Sequence, residues 1–292
     1  MLDVVPQAVW LSVPVLALFG LCIGSFLNVV IHRVPLMLER GWKLDSAEML
    51  GLAPDHKALK DANIAAPITL SKPRSRCPSC GHQIAWHENI PVASYLWLRG
   101  KCSACKTPIS ARYPFIEILT AVFFGAIGWR FGPQPVALLW CAMAAVLVAL
   151  AGIDWDTTLL PDNLTLPLLW AGLIASALGW TLPLSTSLWG AVAGYLSLWS
   201  VYWLFKLATG KEGMGQGDFK LLAALGAWLG WQMILPIVLA ASVLGAIVGI
   251  GMKMSSSLRE GRYVPFGPFL CGAGAVVMLA GAPRVLEWMG WA

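Results

Sequence analysis

The chain has 292 residues, of which 58% are hydrophobic and 12% are charged, and its formal net charge is +5. Soluble globular domains carry about 45–50% apolar and about 25% charged residues, so this composition excludes a soluble protein and indicates one that crosses a membrane several times. Basic cytoplasmic loops beside anionic lipid account for the positive charge, so no nucleic-acid partner is predicted.

Long hydrophobic runs predict an all-α polytopic membrane protein. A helix that crosses the hydrocarbon core needs about 20 mostly apolar residues, and about eight stretches of this chain qualify. The weakest is 219–231, which is short at about 1.5 Å per residue, so roughly six or seven spans are the alternative. The predicted spans lie near residues 8–33, 114–131, 134–153, 163–181, 186–208, 219–231, 233–253 and 264–282.

The basic residues indicate the orientation of the chain. Most Lys and Arg lie in the odd-numbered loops, whereas Arg130 and Arg284 lie on the other side. Loops rich in Lys and Arg stay in the cytoplasm, so both termini are predicted to be periplasmic. The start, MLDVVPQAVW, has an acid where a signal peptide has basic residues, so the first run is predicted to remain as a transmembrane helix.

This topology divides the chain into a first transmembrane helix (1–34), a cytoplasmic loop (35–113) and a remaining membrane part (114–292). The loop contains the sequences CPSC and CSAC with 21 residues between them. Two such pairs match a tetrahedral four-thiolate zinc site, although the gap is one residue longer than the usual window of roughly 15–20. Four thiolates leave no open position for water, so this zinc would be structural. The predicted ligands are Cys77, Cys80, Cys102 and Cys105.

Other interpretations of the four cysteines exist. They could form redox pairs or disulfides, although a reducing cytoplasm argues against structural disulfides. His82 and His87 lie between the two pairs and are the alternative metal ligands.

Carboxylates at the ends of predicted spans are the second strong signal, because burying an ionisable group in a membrane is costly. Asp154 ends the third span and Asp218 begins the sixth, and both are predicted to lie at the cytoplasmic edge. Two carboxylates at one point share a proton, so one can act as a base on water and the other as an acid. This is the chemistry of an aspartic protease. Asp156 and Asp162 are alternative members of the pair, and ion-coupled transport is the alternative function.

Six stretches occur in an order that resembles one family. They are GSFLNVVIHRVP (24–35), KPRSRCPSC (72–80), ISARYPFIE (109–117), IDWDTTLLPDNLTLP (153–167), GMGQGDFKLL (213–222) and VPFGPFL (264–270). Together they resemble the bacterial type IV prepilin peptidases, which are membrane aspartic proteases of the GxGD type, over nearly the whole chain. The resemblance implies that Asp154 and Asp218 are the catalytic pair.

The resemblance also implies a function. Such enzymes cleave the basic leader from prepilins and pseudopilins on the cytoplasmic side of the inner membrane, so a prepilin substrate and membrane lipid are the expected partners. Members with a four-cysteine loop also N-methylate the new N-terminal residue, usually Phe, with S-adenosylmethionine as donor. The expected methyltransferase part is therefore 35–113. The alternatives are a peptidase without methyltransferase activity and a non-catalytic zinc-bearing assembly factor.

A few further residues are candidates for substrate or structural roles. Gly215 and Gly217 are expected to adopt backbone conformations closed to other residues and to let an extended substrate approach. Glu117 lies inside a predicted span, so it must pair or stay protonated, and Arg112 or Asn28 are its expected partners. No strand, GxGxxG and helix occur in succession, so the sequence does not locate a cofactor-binding site for the methyl donor.

Overall fold

The computed structural model describes residues 7–51, 68–255 and 264–291. Within these ranges the chain is helical, with two isolated β-bridges, Arg76 to Gln83 and Lys101 to Pro108. Short 3-10 helices cover Trp86–Asn89 and Trp231–Met233. The α-helices are α1 (Gln7–Trp10), α2 (Val13–Met49), α3 (Ala93–Trp97), α4 (Arg112–Phe131), α5 (Val136–Thr157), α6 (Asp162–Ala177), α7 (Leu184–Thr209), α8 (Gln216–Leu229), α9 (Ile234–Met254), α10 (Gly267–Ala280) and α11 (Ala282–Trp288).

The all-α prediction is confirmed, and every predicted span corresponds to a helix. In the described ranges, however, only five stretches are long and apolar enough to cross a membrane: α2, α4, α5, α7 and Trp231–Met254. A sixth is the pair α10 and α11, which is bent by 107°. α6 and α8 have 16 and 14 residues, and at about 1.5 Å per residue they are shorter than the hydrocarbon core of about 30 Å. The count is therefore five or six rather than eight.

The first long helix continues further than the sequence predicted. α2 runs through Pro35 to Met49, a length of 37 residues. Proline removes one helical hydrogen bond, but good helix formers follow it, and Lys43 pairs with Glu39 one turn earlier at 2.6 Å. Part of the polar segment that was expected to follow this helix, 52–67, lies outside the described residues.

The chain forms two compact units, of which the N-terminal unit is Pro14–Gly125. Its two long helices pack closely because small residues face the contact. A Cβ at Gly20 would lie 2.8 Å from the Cα of Ala121, and one at Gly24 would lie 2.6 Å from the Cα of Glu117. Such glycines let membrane helices bring their backbones together.

The C-terminal unit comprises Ala126–Ala292 together with Met1–Val13. At its centre α8 is buried from Asp218 to Leu229 except at Lys220. α6, α7 and α10 all pack against α8, and α10 also packs against α5. The closest contact is between α7 and α8, where a Cβ on Gly190 would meet the backbone carbonyl of Gly226. This packing holds the start of α8 and the end of α5 inside the unit.

Candidate active site and metal centre

Two buried carboxylates lie at helix ends in the C-terminal unit. Asp154 is near the end of α5 and 4% exposed, and Asp218 is in the first turn of α8 and 7% exposed. They are close enough for the charge of Asp154 to act on Asp218. Among the described residues the only other buried acid is Glu117, which belongs to the N-terminal unit. The structure thus brings together the two acids that the sequence singled out.

A backbone amide from a third helix holds one of these carboxylates. The N–H of Gly267, the first residue of α10, donates to Oδ2 of Asp154 at 3.0 Å. A Cβ on Gly267 would lie only 2.5 Å from that oxygen. Glycine at this position therefore allows the carboxylate to reach the start of α10, where free N–H groups favour an anion.

The loop between α5 and α6 places a leucine beside both glycines of the site. A Cβ on Gly217 would lie 2.7 Å from Cβ of Leu160, and one on Gly267 would lie 3.2 Å from its Cδ1. The side chain of Leu160 thus fills the space that two missing Cβ atoms leave open. Because Gly217 precedes Asp218 and Gly267 binds Asp154, Leu160 lies next to the carboxylate pair.

The glycines of GMGQGD do not adopt the backbone conformations that the sequence predicted. None of Gly213, Gly215 and Gly217 has a positive φ, so none needs a conformation closed to other residues. At Gly213 and Gly217 the missing side chain instead makes room for a neighbour within the protein. Gly213 faces the ring of Phe205, whereas a Cβ on Gly215 would make an ordinary contact of 3.7 Å with Oδ2 of Asp218.

The other acids that the structure describes in this unit are engaged elsewhere or exposed. Both carboxylate oxygens of Asp162 accept from Nζ of Lys220 at 2.7 Å. Glu212 accepts from Nζ of Lys206 at 2.8 Å, and this hydrogen bond lowers the pKa of its carboxyl group. Asp156 is exposed on the last turn of α5. Neither Asp156 nor Asp162 lies buried beside Asp218, so the geometry favours Asp154 as its partner.

Four cysteines of the N-terminal unit converge as the sequence predicted. The sulfur atoms of Cys77, Cys80, Cys102 and Cys105 all lie within 4.8 Å of one another. Cys77 and Cys105 are 3.8 Å apart, and Cys80 and Cys102 are 4.0 Å apart. A tetrahedral zinc ion with Zn–S bonds of about 2.3 Å requires sulfur atoms about 3.8 Å apart. Two of the sulfur separations are close to this value, so the four thiols are placed to hold a metal ion.

Each cysteine pair belongs to a knuckle, and the two knuckles repeat the same hydrogen bonds. Cys77 donates its N–H to His82 O and accepts from the N–H of Gly81, while Cys102 donates to Thr107 O and accepts from the N–H of Lys106. Both turn residues have positive φ, 72° at Gly81 and 61° at Lys106. The local sequence therefore builds two matching turns that present their thiols to one point.

Hydrogen bonds shift the pKa values of these thiols in opposite directions. The side chain and then the backbone of Thr107 lower the pKa of Cys105 to about 6. The backbone N–H of Cys80, and then that of Ser79, lower the pKa of Cys77. The pKa of Cys80 is raised to about 12: the backbone hydrogen bond of His82 lowers it, but desolvation and the neighbouring thiols outweigh that bond. A divalent cation would favour the thiolate form of all four.

The histidine nearest the knuckles links them without joining the sulfur cluster. Nε2 of His82 lies 3.2 Å from Oε2 of Glu88 and 3.2 Å from Oγ of Ser103. Glu88 also accepts the N–H of Ala85 at 2.8 Å. Hydrogen bonding from Ser103, followed by that from Ala85 and His82, lowers the pKa of Glu88 to about 2. His82 therefore supports the fold around the cysteines and is not a member of their ligand set.

The buried Glu117 has partners other than the expected Arg112 or Asn28. Its Oε2 accepts the N–H of Val92 at 2.7 Å, and its carboxylate also bonds the side chain of Ser25. Asn28 instead donates to the carbonyls of Tyr113 and Gly24 at 3.1 and 3.3 Å. Arg112 is the first residue of α4 and is exposed. Glu117 and Asn28 thus fasten α4 to α3 and α2.

A cavity of about 220 Å³ opens beside the first knuckle. The Arg74 guanidinium donates to Ile84 O at 3.4 Å. The residues that line the cavity are Ser71, Arg74, Ser75, Ile84, Ala85, Trp86 and Asn89. A guanidinium group binds carboxylates, and an indole face binds flat or cationic groups. The cavity thus has an arginine and a tryptophan among its lining residues.

Sequence reasoning did not single out three residues near the aspartate pair. Gly267 lies in VPFGPFL, which contributed to the resemblance without a role of its own, and Leu160 lies in LLPDN, where only the acid attracted attention. Cys271, a cysteine within an apolar run of the sequence, is close enough for the charges of Asp154 and Asp218 to act on it. Gly267 and Leu160 lie in sequence motifs that could have drawn attention to them, although neither motif indicated what these residues do.

The fold and its two sites define a class: helical membrane proteins with a buried aspartate pair and a separate four-thiol metal centre. Comparison with family models finds two matches. Residues 18–131 match the bacterial peptidase A24 N-terminal domain, and residues 141–250 match the type IV leader peptidase family.

Curated relatives extend the match to most of the chain. A protein of Aeromonas hydrophila is 50% identical over 279 residues, which is 96% of this chain and 94% of the relative. One of Pseudomonas aeruginosa is 52% identical over 264 residues, 90% and 89% of the two chains. Both are named prepilin leader peptidase/N-methyltransferase. No solved structure matched the chain. The chain therefore belongs to the type IV leader peptidase family.

Proposed function

We propose that this chain cleaves the basic leader from prepilins or pseudopilins and then N-methylates the new N-terminal residue. The observation that carries the peptidase half is the buried pair Asp154 and Asp218, with the Gly267 amide on the first of them. The names of relatives that align over most of their length support the substrate class and the second activity.

The carboxylate pair supports general acid–base hydrolysis of a peptide bond. Two neighbouring buried carboxyl groups cannot both ionise cheaply, so they hold one proton between them. The ionised carboxylate takes a proton from a water molecule while the oxygen of that water attacks the scissile carbonyl carbon. The protonated carboxyl group donates its proton to the carbonyl oxygen. The carboxyl group that took the proton from water then gives it to the leaving nitrogen, and the other carboxylate takes back its proton from a hydroxyl group of the tetrahedral intermediate. The C–N bond breaks in this step, which leaves a carboxyl group on the leader and a free amine on the pilin.

The test of the peptidase half is cleavage of a prepilin in proteoliposomes. Asp154→Asn and Asp218→Asn are each expected to abolish cleavage, because an amide can neither take nor give the required proton. Asp156→Asn and Asp162→Asn are the matched controls, since both acids lie near the pair in sequence but are exposed or salt-bridged. Full cleavage by either of the first two variants would overturn the assignment.

Zinc is the metal proposed for the four-cysteine cluster, because sulfur spacing and thiol chemistry both fit it. Cys77, Cys80, Cys102 and Cys105 would fill its coordination shell, so the ion would fix the two knuckles in place and take no part in bond breaking. The sulfur separations of 3.8 and 4.0 Å are the supporting observation.

S-adenosylmethionine is the methyl donor proposed for the second activity, and the cavity beside the first knuckle is its proposed site. The Arg74 guanidinium is suited to the carboxylate of the donor, and the Trp86 indole is suited to its adenine ring or sulfonium group. The volume of about 220 Å³ is below the roughly 300–1,000 Å³ of typical ligand pockets, so the cavity would hold only part of the donor.

Mass spectrometry of the processed pilin tests the methylation half. The wild type is expected to yield an N-methylated product, and Arg74→Ala and Trp86→Ala are expected to yield cleaved but unmethylated pilin. Ser79→Ala, an exposed change within the first knuckle, serves as the control. An unmethylated product from the wild type would favour a leader peptidase without methyltransferase activity.

The proposed location is the bacterial inner membrane, with Asp154 at the cytoplasmic face and the N-terminus in the periplasm. Its support is the concentration of Lys and Arg between α2 and α4, because a cytoplasmic segment there lets α4 and α5 cross outward and back, and α5 then ends at Asp154 on the cytoplasmic side. Accessibility of cysteines introduced at the two ends of the chain, tested with membrane-impermeant reagents in intact cells, would check this orientation.

A further inference from the structure

One face of the short helix α3, in the linker between the two knuckles, is apolar and exposed. Ala93, Leu96 and Trp97 have the spacing that places residues on one side of a helix. Leu96 is 69% exposed and Trp97 is 81% exposed. We call Ala93, Leu96 and Trp97 the α3 patch. An exposed indole next to an exposed leucine is unusual on a water-facing surface. We therefore expect the α3 patch to be covered by another molecule.

The position of α3 relative to α4 indicates what that partner is. The N–H of Val92, the residue before α3, donates to Glu117 in α4 at 2.7 Å. Glu117 is five positions beyond Arg112, where α4 begins, which is about 7.5 Å along the helix axis at 1.5 Å per residue. α4 is long and apolar enough to span a membrane. Val92 therefore lies closer to the middle of that membrane than Arg112, the basic residue at which α4 begins.

The exposed side of α4 supports the same depth. Phe115, two residues before Glu117, is 61% exposed, and Ile118 and Val122 are exposed as well. These side chains form an apolar stripe on a candidate membrane helix, so lipid contact on α4 starts at or before the level of Glu117. The start of α3, which is hydrogen-bonded to Glu117, lies at that same level.

We propose that the α3 patch is a membrane anchor that inserts into the interfacial layer of the bilayer on the side where α4 begins. Tryptophan is enriched at this depth, because its ring is apolar while its N–H can reach water or headgroups. The exposed Arg99 and Lys101 follow directly, where they would meet anionic headgroups. The linker expected from the sequence to be a soluble loop is thus a monotopic membrane element.

This anchor would hold the metal centre close to the bilayer. Cys102 follows Trp97 by five positions, so the second knuckle starts immediately after the anchored helix. A prepilin cleaved at the membrane surface would present its new amine in the same layer. That consequence rests on the proposed function, whereas the anchor itself does not require either activity.

Photolabelling of the unmodified full chain tests the anchor directly. The protein is placed in nanodiscs with anionic and zwitterionic phospholipids, one of which carries a diazirine in its acyl chain, and no pilin is added. After irradiation and trypsin digestion, lipid adducts in the peptide from Cys77 to Arg99 are expected on residues 90–97 and not around Cys77 and Cys80. Absence of adducts on residues 90–97, with strong labelling of α4, would overturn the proposal.

A site-specific crosslinker gives an independent result from the protein side. p-Benzoylphenylalanine in place of Trp97 is expected to form lipid adducts at least several-fold more often than the same group in place of Ser79, which is exposed in the first knuckle. Crosslinks to residues 126–292, or equal lipid labelling at both positions, would overturn the proposal. Zinc content of each variant shows that the knuckles have folded, and the result does not depend on peptidase or methyltransferase activity.

Discussion

Gly267 donates its backbone N–H to Oδ2 of Asp154 at 3.0 Å, although the two residues are 113 positions apart. The bond fixes one carboxylate of the pair against the start of α10. The bond also explains why residue 267 is glycine, because a Cβ at this position would lie 2.5 Å from the accepting oxygen. Every real side chain at this position must push the carboxylate away.

Gly267→Ala is therefore expected to reduce prepilin cleavage by about 100-fold or more, comparable to the loss of one positioned hydrogen-bond donor at a reacting group. Initial rates of leader removal in proteoliposomes measure the effect. Gly272→Ala is the matched control: it lies on the same helix, and a Cβ there would meet nothing within 4 Å. Similar rates for both variants would contradict the role of Gly267.

Gly217→Ala should also impair cleavage, because the new Cβ would lie 2.7 Å from Cβ of Leu160. Alanine favours helices more than glycine does, so the loss cannot come from helix propensity. Leu160→Gly removes the clashing atoms, and the double variant Gly217→Ala/Leu160→Gly is expected to recover at least part of the cleavage rate.

The same suppressor provides its own control. Leu160→Gly should not rescue Gly267→Ala, because the Cβ of that variant also meets Asp154. If the double variant at 217 and 160 cleaves no faster than Gly217→Ala alone, while Leu160→Gly alone is active, then Leu160 does not explain why residue 217 is glycine.

The helices and the cysteine cluster follow from local properties of the sequence. Hydropathy is a sum over neighbouring residues, so it predicted every long helix, and the CxxC spacing predicted that Cys77 and Cys80 meet a second pair. The number of spans was harder to predict. α6 and α8 are short helices packed within the C-terminal unit, and hydropathy does not distinguish burial in protein from burial in lipid.

Contacts between distant segments could not be predicted from one sequence. Val92 as the partner of Glu117, and Leu160 as the residue that faces Gly217, depend on how helices pack. The backbone conformation of the glycines in GMGQGD was also predicted wrongly, because glycine in a sequence indicates either unusual φ or close packing. Only the backbone angles and neighbours showed that packing applies here.

Asp162 is expected to contribute to stability rather than to catalysis. Its salt bridge to Lys220 is partly exposed, with 55% of the Asp162 side chain accessible, and such pairs contribute about 0.2–1 kcal/mol. Asp162→Asn and Lys220→Met should each lower the unfolding temperature in detergent slightly. The double variant should lose less than the sum of the two single losses. A cleavage rate near zero for Asp162→Asn would instead place this acid in the chemistry.

Removal of the metal should affect methylation more than cleavage. Cys77→Ser or Cys105→Ser takes a ligand from the four-thiol cluster of the N-terminal unit, whereas Asp154 and Asp218 lie in the C-terminal unit. The wild type is expected to contain about one zinc ion per chain, and each serine variant should lose it together with pilin methylation. His82→Ala should retain zinc, because His82 bonds Glu88 and Ser103. Zinc analysis and mass spectrometry of processed pilin measure both effects.

The crossing of α7 and α8 should be the least tolerant contact of the C-terminal unit. A Cβ on Gly190 would meet the backbone carbonyl of Gly226, and backbone cannot move aside as a side chain can. Gly190→Ala is therefore expected to destabilise the protein by about 1–3 kcal/mol, the usual cost of overpacking. Gly251→Ala, on α9 with nothing within 4 Å of its Cβ, should leave the unfolding temperature in detergent unchanged. Because α8 carries Asp218, displacement of this helix should also slow cleavage. An unaltered unfolding temperature for Gly190→Ala would contradict the prediction, since it would show that α7 and α8 can move apart without loss of stability.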